Sequence, residues 1–152
     1  MAVYTDLFIA TESEVLSVPL YEQSPVEYFP TVEAKGITTL HLATLEAIAT
    51  GQAEPYALVY ARLDALDESV VRQWQNDVVV ERVSDTLVEA LARLAPQEIA
   101  QVAQRWEDTD EMRATTERTE HVAWITGYLH EIRELVRRAQ TEGKQVYLWT
   151  AV

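Results

Sequence analysis

The chain has no cysteine, only four glycines and no long apolar run. Without cysteine it can form no disulfide framework, no thiolate metal site and no cysteine nucleophile, and the composition fits a reducing cytoplasm. Gly36, Gly51, Gly127 and Gly143 are isolated from one another, so the usual phosphate-binding loops are absent. No stretch reaches the ~18 apolar residues of a membrane span. The first ten residues lack a basic start and include Asp6, so they do not read as a secretory signal.

Positive charge is also scarce. Twelve basic residues stand against 25 acidic ones, which gives a formal net charge of −13. Nucleic acids and anionic membranes bind to clustered Lys and Arg, so neither is an expected partner. One interpretation of the acidity is a basic protein partner or mimicry of nucleic acid, and the other is plain solubility.

The remaining composition is that of a folded protein. The chain has 152 residues, of which 48% are hydrophobic and 24% are charged. A chain of this size can bury a core without metal or disulfide support. It contains no internal repeat and no linker rich in Gly, Ser or Pro. We therefore predict one globular domain over residues 1–152.

The first third of the sequence alternates between strand and irregular patterns. Val3–Ala10 is short, apolar and rich in β-branched and aromatic residues, which predicts a strand. Thr11 and Glu14 have the spacing of a capping box, so a short helical turn is expected after the strand. Tyr21–Glu33 contains two prolines and is predicted to be irregular, with a strand possible at Val26–Phe29.

The middle third predicts one helix, one ambiguous segment and two strands. Ile37–Thr50 has apolar residues at helical spacing and is followed by Gly51, which predicts a helix that ends there. Tyr56–Leu66 fits either a helix or a buried strand. Val70–Trp74 and Val78–Val83 are rich in valine and predict two strands joined by a turn.

The last third is mainly helical and ends in a strand. Ser84–Leu94 and Pro96–Glu107 predict two helices, and a long helix is expected from about Thr116 to Glu142. Lys144–Val152 is predicted to be the final strand. Strands at both ends with helices between them indicate the α+β class. We expect a small, mostly antiparallel sheet packed by about four helices, including the long C-terminal one.

The three histidines are the first place to look for chemistry. His121 and His130 are nine residues apart and point about half a turn away from each other, so they cannot share a metal ion. We therefore predict no metal site, no cofactor and no catalytic residue. If the protein is nevertheless a small enzyme or ligand-binding domain, His41, His121 and Glu117 are the first candidates. They would then have to converge on one pocket.

The aromatic residues provide the candidate binding residues. Trp124 and Tyr128 are four residues apart on the long helix, near His121, and Trp and Tyr are enriched at binding hot spots. These three residues are the predicted binding site. The alternative is that the two aromatic rings pack in the core, because large aromatic side chains supply core area.

The order of elements resembles the YfbM-like family of small, functionally uncharacterised bacterial proteins. The similar parts are the opening strand Tyr4–Ala10, the helix end Leu45–Gly51, the long helix through Leu135–Ala139, and the strand Gln145–Thr150 after Gly143. This chain lacks the Asp-Lys pair and the Trp that the family's first helix typically carries. The resemblance implies an α+β fold and an unknown function, and it transfers no site residues.

The leading functional hypothesis is a non-enzymatic protein-interaction module with an acidic, aromatic-bearing surface. The observations behind it are the charge of −13, the number of Trp and Tyr residues and the lack of a catalytic grouping. An immunity-like or inhibitor-like role against a basic partner is one form of it. The alternatives are a small enzyme or ligand-binding domain with a dispersed site, and a structural homo-oligomer with an exposed apolar patch.

Overall fold

The computed structural model describes residues 4–34, 36–52, 55–75, 77–115 and 121–152. The strands are β1 (Tyr4–Ala10), β2 (Thr31–Glu33), β3 (Val70–Trp74), β4 (Val78–Arg82) and β5 (Gln145–Ala151). The helices are α1 (Glu12–Ser17), α2 (Thr39–Ala49), α3 (Pro55–Asp64), α4 (Leu66–Ser69), α5 (Asp85–Arg93), α6 (Pro96–Glu107), α7 (Asp110–Thr115) and α8 (His121–Glu142). The predicted α+β class is confirmed.

The five strands form one antiparallel sheet in the order β2-β1-β5-β4-β3. The two terminal strands pair along their whole length, with Leu7 opposite Leu148. This pairing places the two ends of the described chain side by side in the interior of the sheet. The sequence predicts both strands and the antiparallel sheet, and the structure adds the register.

One face of the sheet packs against the helices. Leu7 and Ile9 of β1 and Val146 and Leu148 of β5 point to this side, as the two-residue period of a strand requires. Helix α8 contacts β1, β2 and β5 and packs against α5 and α6, which in turn pack against α2. Five apolar residues of α8 at three- and four-residue spacing are buried: Ile125, Leu129, Ile132, Val136 and Ala139. Residues 116–120, where that helix was predicted to begin, lie outside the described residues.

The opposite face of the sheet carries a second core. Phe8 of β1 and Tyr147 of β5 stack at 5.5 Å between ring centres, and Phe8 stacks on Phe29 at 5.3 Å. The segment from α1 to β2 covers these rings with Val15 and Leu20, both of which are fully buried. The two central strands are therefore buried on both faces, which explains why β5 has apolar residues at almost every position.

Local interactions decide the structure of the covering segment. The capping box predicted at Thr11 and Glu14 is confirmed, since each backbone N–H donates to the other residue's side chain at 2.9 and 3.2 Å. The strand predicted at Val26–Phe29 is wrong. Pro25–Glu27 forms a 3-10 turn, and the N–H groups of Tyr28 and Phe29 both donate to the Pro25 carbonyl. Those two N–H groups are already hydrogen-bonded within the turn and cannot pair with a neighbouring strand.

The ambiguous segment Tyr56–Leu66 is mostly helical, because α3 runs from Pro55 to Asp64. Val59 is buried towards α2, whereas Tyr56 and Tyr60 are more than half exposed. A strand would alternate its buried and exposed positions, but here one side of a helix faces the protein. Within the described part of the chain, no helix is long and apolar enough to cross a membrane.

Candidate functional site

His41 is a structural residue between α2 and α7. The Thr38 backbone N–H donates to Nδ1 at 2.9 Å, and Nε2 lies 3.1 Å from the carbonyl oxygen of Glu111. A carbonyl can only accept, so Nε2 carries the proton and the ring is held neutral. Burial lowers the pKa of His41. The residue does not line the cleft that the structure forms between α2 and β4.

Because the folded protein keeps His41 neutral, we expect the protein to lose stability in acid. The folded-state pKa lies below the ordinary value of 6.5, so the folded protein binds fewer protons at this position than the unfolded chain. The unfolding free energy is therefore unaffected by protonation of His41 at pH values well above 6.5. It decreases as the pH falls from 6.5 towards the folded-state pKa, because the unfolded chain binds a proton there first. Between about pH 7 and pH 5 the unfolding free energy of the wild type should fall more steeply than that of His41→Gln.

Urea denaturation at a series of pH values measures this difference. His130→Gln is the matched control, because His130 is exposed on α8. We expect the control to follow the wild type. Equal slopes for wild type and His41→Gln would show that His41 does not titrate differently on folding.

Of the three predicted binding residues, the structure describes the side chain of Tyr128 only. Tyr128 is 3% exposed and belongs to the helix-side core. Burial raises the pKa of its hydroxyl, and the negative charge of Asp6 adds to the effect. Tyr128 thus packs in the helix-side core, and the binding role of the three residues stays a prediction. The side chains of His121 and Trp124 lie outside the described residues, as does Glu117.

The most exposed apolar side chains of the covering segment lie beside glutamates. We define the acidic face by the exposed residues Glu12, Leu16, Tyr21, Glu22, Val26, Glu27 and Tyr28. Leu16, Tyr21 and Val26 are each more than half exposed, at 52%, 51% and 60%. Residues 11–34 contain five glutamates and no Lys, Arg or His. The face combines apolar surface with negative charge.

The backbone that bears the acidic face is firmly anchored. The indole N–H of Trp149 donates to the Leu20 carbonyl at 2.8 Å. Nη1 of Arg72 donates to the carbonyls of Val15 and Val18, also at 2.8 Å. Because these contacts come from the sheet, the segment keeps its shape without a partner. A preorganised surface loses less conformational entropy on binding.

A cleft of about 750 Å³ lies between α2, α3, α4, β4 and α5 and reaches Glu12 of α1 and Tyr147 of β5. Thr39, Ala43 and Glu46 line it from α2, and their spacing of four and three residues places them on one face of the helix. Leu42 and Leu87 contribute apolar atoms to the wall of the cleft. The volume falls within the range of small-molecule sites in proteins.

Glu46 forms a buried ion pair in the wall of the cleft. Its side chain is 2% exposed and meets Arg62 of α3, whose side chain is 35% exposed. Nε of Arg62 donates to both carboxylate oxygens at 3.2 Å, and Nη2 donates to Oε2 at 2.7 Å. This arrangement holds both oxygens of Glu46 in charge-assisted hydrogen bonds and ties α3 to α2.

Glu81 projects from β4 towards the same cleft. The hydroxyl of Thr39 donates to its Oε1. Burial raises the pKa of the Glu81 carboxyl, and the hydrogen bond from Thr39 opposes that rise. The cleft thus contains a partly buried carboxylate without a cationic partner among the described residues.

The cleft as a whole is acidic. Its charged lining consists of Glu12, Glu46, Arg62, Glu68, Glu81, Arg82 and Asp85. Both arginines are bound to carboxylates, since Arg62 holds Glu46 and Arg82 holds Asp85 at 3.0 Å. Over the described ranges, no group of three or more metal-binding side chains is arranged around an ion site.

Sequence reasoning did not find this cleft. Its charged side chains come from α1, α2, α3, α4, β4 and α5, and the positions 46, 62 and 81 are separated by 16 and 19 residues. The one available signal was Glu46, the only acidic residue of the mostly apolar helix α2. A lone carboxylate in such a helix indicates a buried partner, because an unpaired buried charge is strongly disfavoured.

No protein-family model and no curated protein matches the chain. Among solved structures, the chain is similar to the crystal structure of YfbM, a protein of unknown function from Escherichia coli. The two share 13% sequence identity and a TM-score of 0.48 over 98% of this chain and 99% of that chain. YfbM is the protein whose family the sequence resembles, and the likeness concerns architecture alone.

Proposed function

We propose that this chain is a non-enzymatic binding module of the bacterial cytoplasm that recognises a basic protein through the acidic face. The observation that supports the proposal is the exposure of Leu16, Tyr21 and Val26 on an anchored segment that has glutamates and no basic residue. Apolar and aromatic side chains supply the desolvated centre of a protein interface, and the surrounding charges select the partner.

The charge of the face argues for a different protein rather than a second copy. Two copies meeting through this face would bring Glu12, Glu22 and Glu27 of each chain close to those of the other. Like charges across an interface are unfavourable and suppress such pairing. A partner with Lys and Arg around an apolar centre has the complementary surface. An immunity-like or inhibitor-like role would be one case of such recognition.

Charge reversal on the acidic face should abolish this binding. In Glu22→Lys/Glu27→Lys, the partner's basic residues would meet positive charge, and capture from a lysate of the native host at low salt should fall by at least about tenfold. Tyr21→Ala, which keeps the charge, should weaken capture through lost contact area. The readout is quantitative mass spectrometry of captured proteins.

The matched control is Glu89→Lys/Glu131→Lys. It changes the net charge equally but lies on α5 and α8, on the helix side of the sheet. One basic protein retained by this control, lost in the face variant and released by salt is the expected result. Equal capture by both double variants would contradict the assignment of the face. A concentration-dependent dimer in size-exclusion chromatography, with no captured protein, would favour the homo-oligomer alternative.

A further inference from the structure

We propose that the cleft between α2, β4 and α5 binds an alkylammonium group, with Glu81 as its counter-ion and the apolar wall around its alkyl chain. Glu81 lies on the helix side of the sheet, whereas the rings beneath the acidic face lie on the opposite side, and of the acidic face only Glu12 also lines the cleft. The inference therefore stands or falls independently of the proposed protein partner.

The sign of the ligand charge follows from how the cleft's own charges are paired. Arg62 is occupied by Glu46 and Arg82 by Asp85, so no cationic side chain among the described residues remains for Glu81. A partly desolvated carboxylate with one hydroxyl donor gains more from a cation than from a neutral group. An anionic ligand would meet repulsion from the same group.

The organic character of the ligand follows from volume and wall. A space of about 750 Å³ is far larger than a bare metal ion needs. Leu42, Ala43 and Leu87 contribute apolar atoms to the lining of the same cleft as Glu81. Such a wall lowers the free energy of an alkyl chain that leaves water. Carboxylate and apolar wall together match the two ends of a primary alkylamine.

An alkylammonium group has two natural sources, a free small amine and the lysine side chain of a polypeptide. Both would place the ammonium at Glu81 and the methylene groups along the wall. They differ at the far end of the alkyl chain, because a lysine brings a bulky backbone to the mouth of the cleft. One probe for each source therefore separates the two.

The test is an NMR titration of the full chain with n-butylammonium chloride, with 1-butanol as the neutral analogue. We expect saturable amide shifts at Thr39, Ala43 and Glu81 at about millimolar n-butylammonium, and much weaker ones with 1-butanol. Glu81→Gln should raise the dissociation constant about tenfold or more, because a charge-assisted contact is lost. Glu89→Gln, exposed on α5 outside the cleft, should bind as the wild type does.

Three results would overturn the proposal: no saturable shifts in the cleft, equal binding of 1-butanol, or unchanged binding by Glu81→Gln. If that variant does not fold, the location of the wild-type shifts and the comparison with 1-butanol still decide the question. Nα-acetyl-lysine N-methylamide identifies the source of the group. Tighter binding of this probe than of n-butylammonium assigns the site to a lysine side chain, and weaker binding assigns it to a free amine.

Discussion

Trp106→Ala should lower the free energy of unfolding by about 4 kcal/mol, within the usual range for removing a buried tryptophan. Trp106 is completely buried in the helix-side core, and its indole N–H donates to the His41 carbonyl at 3.1 Å. It joins α6 to α2, so the substitution leaves a cavity where two helices meet. Chemical denaturation followed by circular dichroism measures the change.

Trp106→Phe should lower the free energy of unfolding less than Trp106→Ala does. The Thr44 hydroxyl also donates to the His41 carbonyl, at 2.7 Å, so that acceptor does not lose every partner with the indole. We expect a cost of about 1–2 kcal/mol, most of it from lost volume. Trp74→Ala, on the second face and only partly buried, serves as the reference. If Trp74→Ala cost more than Trp106→Ala, the helix-side core would not be the main source of stability.

Arg62→Leu should lower the free energy of unfolding by about 3 kcal/mol, because it leaves the carboxylate of Glu46 buried and unpaired. Glu46 makes its side-chain contacts with this arginine, over three hydrogen bonds. The estimate lies at the lower end for buried pairs, since Arg62 itself is 35% exposed and water can partly reach the site. Denaturation at neutral pH measures the loss.

The double variant Glu46→Leu/Arg62→Leu separates charge from packing. Replacing both partners by apolar residues removes the unpaired charge, so stability should return to within about 1 kcal/mol of the wild type. Arg93→Leu, exposed on α5, is the control for losing one positive charge and should change stability by less than about 0.5 kcal/mol. A double variant as unstable as the single one would show that the pair contributes through geometry rather than charge neutralisation.

Short-range patterns predicted most of the secondary structure. The helix predicted at Ile37–Thr50 is α2, and the capping box at Thr11 forms as expected, because both depend on residues within four positions of each other. The strand predicted at Val26–Phe29 failed for a local reason as well. The amides of Tyr28 and Phe29 donate to the Pro25 carbonyl, in a turn that the valine and the aromatic residues did not reveal.

Tertiary contacts decided Tyr56–Leu66. The segment has apolar residues compatible with both periods, and the buried Val59 with the Glu46–Arg62 pair fixes it as a helix against α2. Tertiary contacts also decided that Tyr128, a candidate binding residue, lies in the core. Its spacing on the helix suits either a surface or a core residue, and the position of β1 beneath α8 buries it.

The sequence by itself determined the α+β class, the terminal strands, the main helices and the strongly acidic character of the protein, because periodicity and composition are local or additive properties. Only the tertiary structure decided that both faces of the central strands are covered and that Arg62 neutralises Glu46. It also decided that Glu81 faces an acidic cleft. Those features depend on which distant residues meet when the chain folds, and the spacing of residues along one sequence does not contain that information.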